Sequence, residues 1–195
     1  MRFLRILALS AGGFLIGSCA DDGGGATVNK DISWYVGCAA GSSGCGSGRT
    51  YHDMTIAPKK PFSVTCKKIG SVIEFTITDP GSDDDPNTPP PMNELHPGSS
   101  IQVSNGNTDA RTCDVTVRDY PSRDAASPLT FVGKCAGSST MPSCTLQGAF
   151  GQGGWVWAGT LQCDALEERN SAAPTRYTLL DKVGSPINIA VDNCD

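Results

Sequence analysis

From residue 32 onward, apolar side chains recur at every second position. Ile32, Trp34 and Val36 alternate with Ser33, Tyr35 and Gly37. The same pattern holds for Phe62, Val64 and Cys66, for Ile73, Phe75 and Ile77, and for Cys113, Val115 and Val117. Ile101 and Val103, Leu129 and Phe131, Trp155 and Trp157, and Ile187, Ile189 and Val191 complete the series. A period of two, carried by β-branched and aromatic residues, marks strands with one face in a core. Between the runs lie Asp79-Pro80-Gly81, Asn105-Gly106-Asn107, Tyr120-Pro121-Ser122 and Val183-Gly184-Ser185-Pro186, all turn signals. With 23 glycines and 13 prolines, long helices are disfavoured; the one helical candidate is Asp164 to Asn170, with Asp164 as its cap. The expected fold is all-β: an antiparallel sandwich or barrel of about eight to ten short strands. Hydrophobic residues make up only 38% of the chain, so disulfides are expected to supplement the core.

Nine cysteines are present, at 19, 38, 45, 66, 113, 135, 144, 163 and 194. Setting Cys19 aside leaves an even set, which in an exported chain reads as disulfides. Four pairs allow 105 connectivities. Taking sequence neighbours first gives Cys38–Cys45, Cys66–Cys113, Cys135–Cys144 and Cys163–Cys194 as the expected pairing. Zinc is the competing use of these thiols. No C-x-x-C spacing occurs, and neither His52 nor His96 lies near paired cysteines, so zinc is not expected.

Residues 1–18 explain why Cys19 is set aside. Arg2 and Arg5 form a basic start, Ile6 to Ile16 is apolar or small throughout, and Gly17 and Ser18 precede the cysteine. This is the layout of a secretory signal, and its apolar run is too short to span a bilayer. Ile16-Gly17-Ser18-Cys19 resembles the lipobox of bacterial lipoproteins. The resemblance covers only this N-terminal segment. It implies cleavage before Cys19, diacylglycerol on the cysteine sulfur, usually an acyl chain on the new N-terminus, and a cell-envelope location. Ala20, rather than aspartate, follows the cysteine; by the sorting rule of enteric-type relatives this leans towards the outer membrane. Two or more acyl chains hold a protein stably on a membrane. Residues 19–30, polar and glycine-rich, are then expected to be a flexible tether, with a single β domain over 31–195.

Removing residues 1–18 takes two arginines and no acid, moving the net charge from −5 to −7. An acidic chain without a basic cluster excludes nucleic acid as the expected partner. The longest irregular stretch, Asp79 to Gly98, gathers Asp79, Asp83, Asp84 and Asp85, with Asn87 and Glu94 beyond. Such oxygens are the ligands calcium takes, but Gly81 and Pro86 do not fit an EF-hand loop, and a solvated loop is the simpler reading. Pro89-Pro90-Pro91 reads as a stiff polyproline spacer.

Three further features bear on function. Trp155 and Trp157 are two apart on one expected strand, so their rings share a face; outward they would make a sugar or peptide platform, inward they are core. Gly148 to Gly154 precedes a strand rather than a helix, so it reads as a hairpin connection and not as a phosphate loop. For catalysis, His52 and His96 are the available bases, and His52 has Asp53 beside it on the opposite strand face. No G-x-S-x-G elbow occurs. Glu74, Glu94, Glu167 and Glu168 are the carboxylates a sugar hydrolase would draw on. The leading expectation is a non-enzymatic, lipid-anchored envelope module. It would bind an envelope protein or a polysaccharide, or serve structurally. The alternatives are a carbohydrate-binding module using Trp155 and Trp157, and an envelope hydrolase.

Overall fold

The structure is a computed structural model, and it describes residues 26–29, 31–42, 45, 51–53, 62–80, 98–120, 127–171 and 175–194. Alternation is realised almost literally. Strands β1 (Thr27–Val28), β2 (Ser33–Cys38), β3 (Tyr51–Asp53), β4 (Ser63–Ile69), β5 (Val72–Asp79) and β6 (Ser99–Asn107) make up the first half. Strands β7 (Thr112–Asp119), β8 (Leu129–Lys134), β9 (Cys144–Phe150), β10 (Trp157–Glu168), β11 (Arg176–Leu180) and β12 (Ile187–Asp192) complete the chain. Every pairing is antiparallel. Along the main path the order is β3-β2-β11-β10-β8-β7-β6-β5-β4.

The longest strand, β10, lets this sheet curl. Its first half, Trp157 to Leu161, pairs with β12 on one side and β9 on the other. Past a register shift between Cys163 and Leu166, its second half pairs with β11 and β8. One strand thus belongs to two walls. β1 adds to β12, and β4, the far end of the path, comes round against β1 and β12. The result is a nearly closed, barrel-like antiparallel sheet, with the inward faces of β5, β6, β7, β10 and β12 supplying most of the core.

That core is built from the predicted parity positions. Ile73, Phe75 and Ile77, then Ile101 and Val103, then Val115 and Val117 are all buried. Phe75 packs on Trp157, ring centroids 5.7 Å apart. The Trp157 indole lies over the cross-strand pair Gly148 and Gly159, where a Cβ on either glycine would strike the ring or the facing backbone. Trp34 and Tyr35 are both buried, although they point to opposite faces of β2. Both faces of β2 are covered, since every residue from Ser33 to Gly37 is buried.

Three expectations are corrected. Asp164 to Asn170 is not a helix. Residues 164–168 continue β10, because hydrogen bonds to β11 and β8 outweigh the weak local helical preference of so short a stretch. The strand ends at Glu168, and Asn170, with a φ of 72°, makes the turn that follows. The ordered domain starts before residue 31: β1 pairs Thr27 with Asp192, and Asn29 exchanges hydrogen bonds of 2.9 Å with Ala190.

Disulfide connectivity is the third. Only Cys38–Cys45 forms as the neighbour rule expects. The other bonds are Cys66–Cys194, Cys113–Cys135 and Cys144–Cys163, not Cys66–Cys113, Cys135–Cys144 and Cys163–Cys194. Sheet register decides this. Cys144 and Cys163 face each other across β9 and β10, Cys135 follows β8 beside Cys113 on β7, and Cys66 on β4 meets the chain end where the sheet closes.

Cys66–Cys194 spans 128 residues and Cys38–Cys45 spans 7. On the chain-entropy account the first stabilises by about 5 kcal/mol and the second by about 2. Urea unfolding of the double variants Cys66→Ser/Cys194→Ser and Cys38→Ser/Cys45→Ser should show the first as much the more damaging.

Candidate functional site

The inward rows of three adjacent strands do not stay apolar to their ends. Ile73, Phe75 and Ile77 are followed at the same parity by Asp79, and Cys113, Val115 and Val117 by Asp119. Between them β6 starts with Ser99, paired directly with Asp79. Asp79, Ser99 and Asp119 therefore stand side by side inside the barrel, and all three are buried.

His52 answers them from β3, at the other end of the sheet path. The ring is 1% exposed. Its Nδ1 lies 2.8 Å from Asp79 Oδ2 and its Nε2 2.9 Å from Asp119 Oδ1. Asp119 Oδ1 also accepts from the Tyr120 backbone N–H at 2.8 Å and from Ser99 Oγ at 3.4 Å. Trp34, cross-strand from His52, stacks on the imidazole at 4.8 Å with 25° between the planes, and Phe62 tilts against Trp34. Trp34 Nε1 is buried without a hydrogen-bond partner among the described residues.

Burial alone pushes the imidazole pKa down, because it penalises the charged ring. The hydrogen bonds and charges of Asp119 and Asp79 together outweigh it and hold His52 up at about 9. Near neutral pH both ring nitrogens therefore carry protons and both donate. Chemically this is an internal ion cluster. The imidazole has no free nitrogen to act as a base, and the Ser99 hydroxyl bonds Asp119 rather than the ring. It joins β3 to the ends of β5, β6 and β7, none of which pairs with it.

The sequence-predicted residues distribute differently from expectation. Asp79, read in sequence as part of a solvated acidic loop with calcium as the weaker alternative, is the last residue of β5 and bonds His52. Asp83, Asp84, Asp85, Asn87, Glu94, His96 and the proline run lie outside the described residues. Among the described residues no group of three or more His, Cys, Asp or Glu side chains is arranged as a metal site. Glu167 and Glu168 are consecutive on β10 and point to opposite faces, so they do not oppose each other. Glu168 accepts from Tyr177 Oη at 3.1 Å, and burial together with that carboxylate pushes the Tyr177 phenol up.

Trp155 and Trp157 do not form a shared platform. Trp157 opens β10 and is 1% exposed, whereas Trp155 lies in the β9–β10 hairpin turn and is 63% exposed. The strand begins one residue after Val156, so the parity argument does not reach Trp155. Residues 151–156 close the hairpin with Gly151 N–H to Val156 O at 2.8 Å and Gly154 N–H to Gly151 O at 3.0 Å, as the glycine run suggested. Lys68 crosses to this turn, its Nζ 4.5 Å from the centre of the Phe150 ring.

Two open grooves mark the outside. One, of about 440 Å³, is lined by Lys134, Met141, Glu167 and Arg176 among others. The second, of about 590 Å³, runs past Asp109, Arg111 and Gln147. Both mix charge with short apolar segments. No protein-family model, no curated protein and no solved structure matches this chain.

The His52 cluster sets a pH dependence. The folded state raises the ring from 6.5 to about 9, so folding takes up a proton between these values. The associated stability, about 3 kcal/mol, is full below pH 6.5 and is lost as pH rises through about 9. Denaturant titrations between pH 6 and 10 should show that decline. His52→Ala should remove the decline and destabilise by about 3–5 kcal/mol, since it takes away the positive charge that stands between two buried carboxylates.

Proposed function

We propose that this chain is a lipid-anchored envelope protein whose β domain binds a neighbour or serves structurally without catalysis. The observation that carries the reading is cysteine parity. Eight of the nine cysteines join in four disulfides, and the ninth is Cys19, at the end of the Ile16-Gly17-Ser18-Cys19 motif. Paired thiols fit an oxidising compartment, and a cysteine outside the set fits one reserved for acylation. No helix among the described residues is long and apolar enough to cross a membrane; on this reading the acyl chains hold the protein there.

The two grooves and the loop ends around them are the surfaces such a module would offer a polysaccharide or an envelope protein. A carbohydrate reading now leans on Trp155 alone, because Trp157 belongs to the core. A hydrolase reading loses its adjacent pair: Glu167 and Glu168 face apart, and Asp79 and Asp119, which do face one site, are buried around His52.

Intact-mass analysis of the protein extracted from envelopes tests the anchor. The expected species lacks residues 1–18, carries diacylglycerol and an acyl chain, and shows no free thiol. An unprocessed chain with an alkylatable Cys19 would sink the proposal.

A further inference from the structure

The anchor would enter the domain at a particular end. β1 runs antiparallel to β12, with Thr27 opposite Asp192, so the chain preceding Thr27 emerges where β12 finishes. The β9–β10 hairpin turn lies at that same end. Trp157 pairs with Val191, and the Cys194 N–H donates to the Trp155 carbonyl at 3.2 Å. Only β12 separates β1 from β10, placing Ala26 and the hairpin turn about 10 Å apart across the sheet. From Cys19 to Ala26 is seven residues, a reach of at most about 25 Å.

Among the described residues the exposed large apolar side chains are Ile69, Met141, Trp155, Val156 and Val183. Ile69, Trp155 and Val156 lie at this end, whereas Met141 precedes β9 and Val183 precedes β12, at the opposite ends of those strands. Trp155 and Val156 are in the hairpin turn. Ile69 follows Lys68, whose amine sits where a side chain on Gly154 would be. Lys67 and Lys68 add two positive charges to an otherwise acidic chain. The opposite ends of the same strands are where Asp79 and Gly98 bound the acidic connection. That end lies about 23 Å away along β5.

We infer that the Trp155–Val156 turn, with Ile69 and the Lys67–Lys68 pair, is a membrane-contact surface that seats the domain on the bilayer beside its own lipid anchor. The inference rests on the anchor proposed above. An indole suits the interface because its ring is apolar and its N–H stays hydrated, and lysines reach past it to anionic headgroups. A tether this short keeps the turn within reach of the headgroups, so even a weak contact is favoured by high effective concentration. The domain then stands with Asp79 and Gly98, at the far ends of β5 and β6, away from the anionic surface.

The tryptophans supply the test. The chain has three, and Trp34 and Trp157 are buried, so Trp155 is the one a lipid can reach. The full chain, purified with its lipid, is reconstituted into phosphatidylcholine–phosphatidylglycerol vesicles with acyl chains brominated near the headgroup, or into unbrominated ones, and floated. The expected result is co-flotation with a loss of tryptophan emission in the brominated vesicles, and Trp155→Phe abolishes that loss while still floating. Co-flotation with equal emission in both vesicles overturns the contact and leaves the anchor standing. Quenching that persists in Trp155→Phe overturns it too. Emission indifferent to bromine but shifted by glycans assigns Trp155 to sugar instead. Failure to float removes the anchor, and the contact falls with it.

Discussion

An imidazolium held between two buried carboxylates organises one end of this barrel. Hydrogen bonding between strands specifies neighbours, but β3 is not a neighbour of β5, β6 or β7. The charges of Asp79 and Asp119 bring His52 over the ends of those strands. Such a cluster adds little net stability compared with an apolar replacement, because desolvating its charges offsets their attraction. Its effect here is positional: with one partner missing, the remaining buried charge is intolerable, so the wall formed by β2 and β3 has one way to close over the sheet.

Elsewhere the closure is covalent. Cys66–Cys194 ties the last strand of the path to the chain terminus, beside β1 and β12. The other three disulfides act within neighbouring strands or a short loop. Between ion cluster and long-range staple, a chain with a modest apolar fraction buries a continuous core. Trp155 and Val156, and separately the charged grooves, are exposed on its surface.

Much of this was legible in the residue pattern. Parity predicted the inward rows of β5, β6, β7 and β12 residue by residue. Extended one step further, the same parity points at Asp79 and Asp119 as inward-facing, a signal passed over because aspartates beside Pro80 and Tyr120 look like turn residues. Parity failed at Trp155 for the converse reason. It assumes an unbroken strand, and the hairpin turn extends through Val156. The misread helix at Asp164 to Asn170 reflects local propensity overruled by two flanking strands.

What the chain alone determines is therefore local and compositional. It specifies strands, turns and nine cysteines, an odd number that leaves at least one outside any set of pairs. These follow from side-chain alternation and counting, which need no knowledge of neighbours in space. Which cysteines meet, that His52 is charged, and that the first strand and the Trp155 turn share one end were decided by tertiary structure. Each depends on strand order and register, and contacts between residues distant along the chain, from 19 positions for Cys144–Cys163 to 128 for Cys66–Cys194, leave no trace in local sequence.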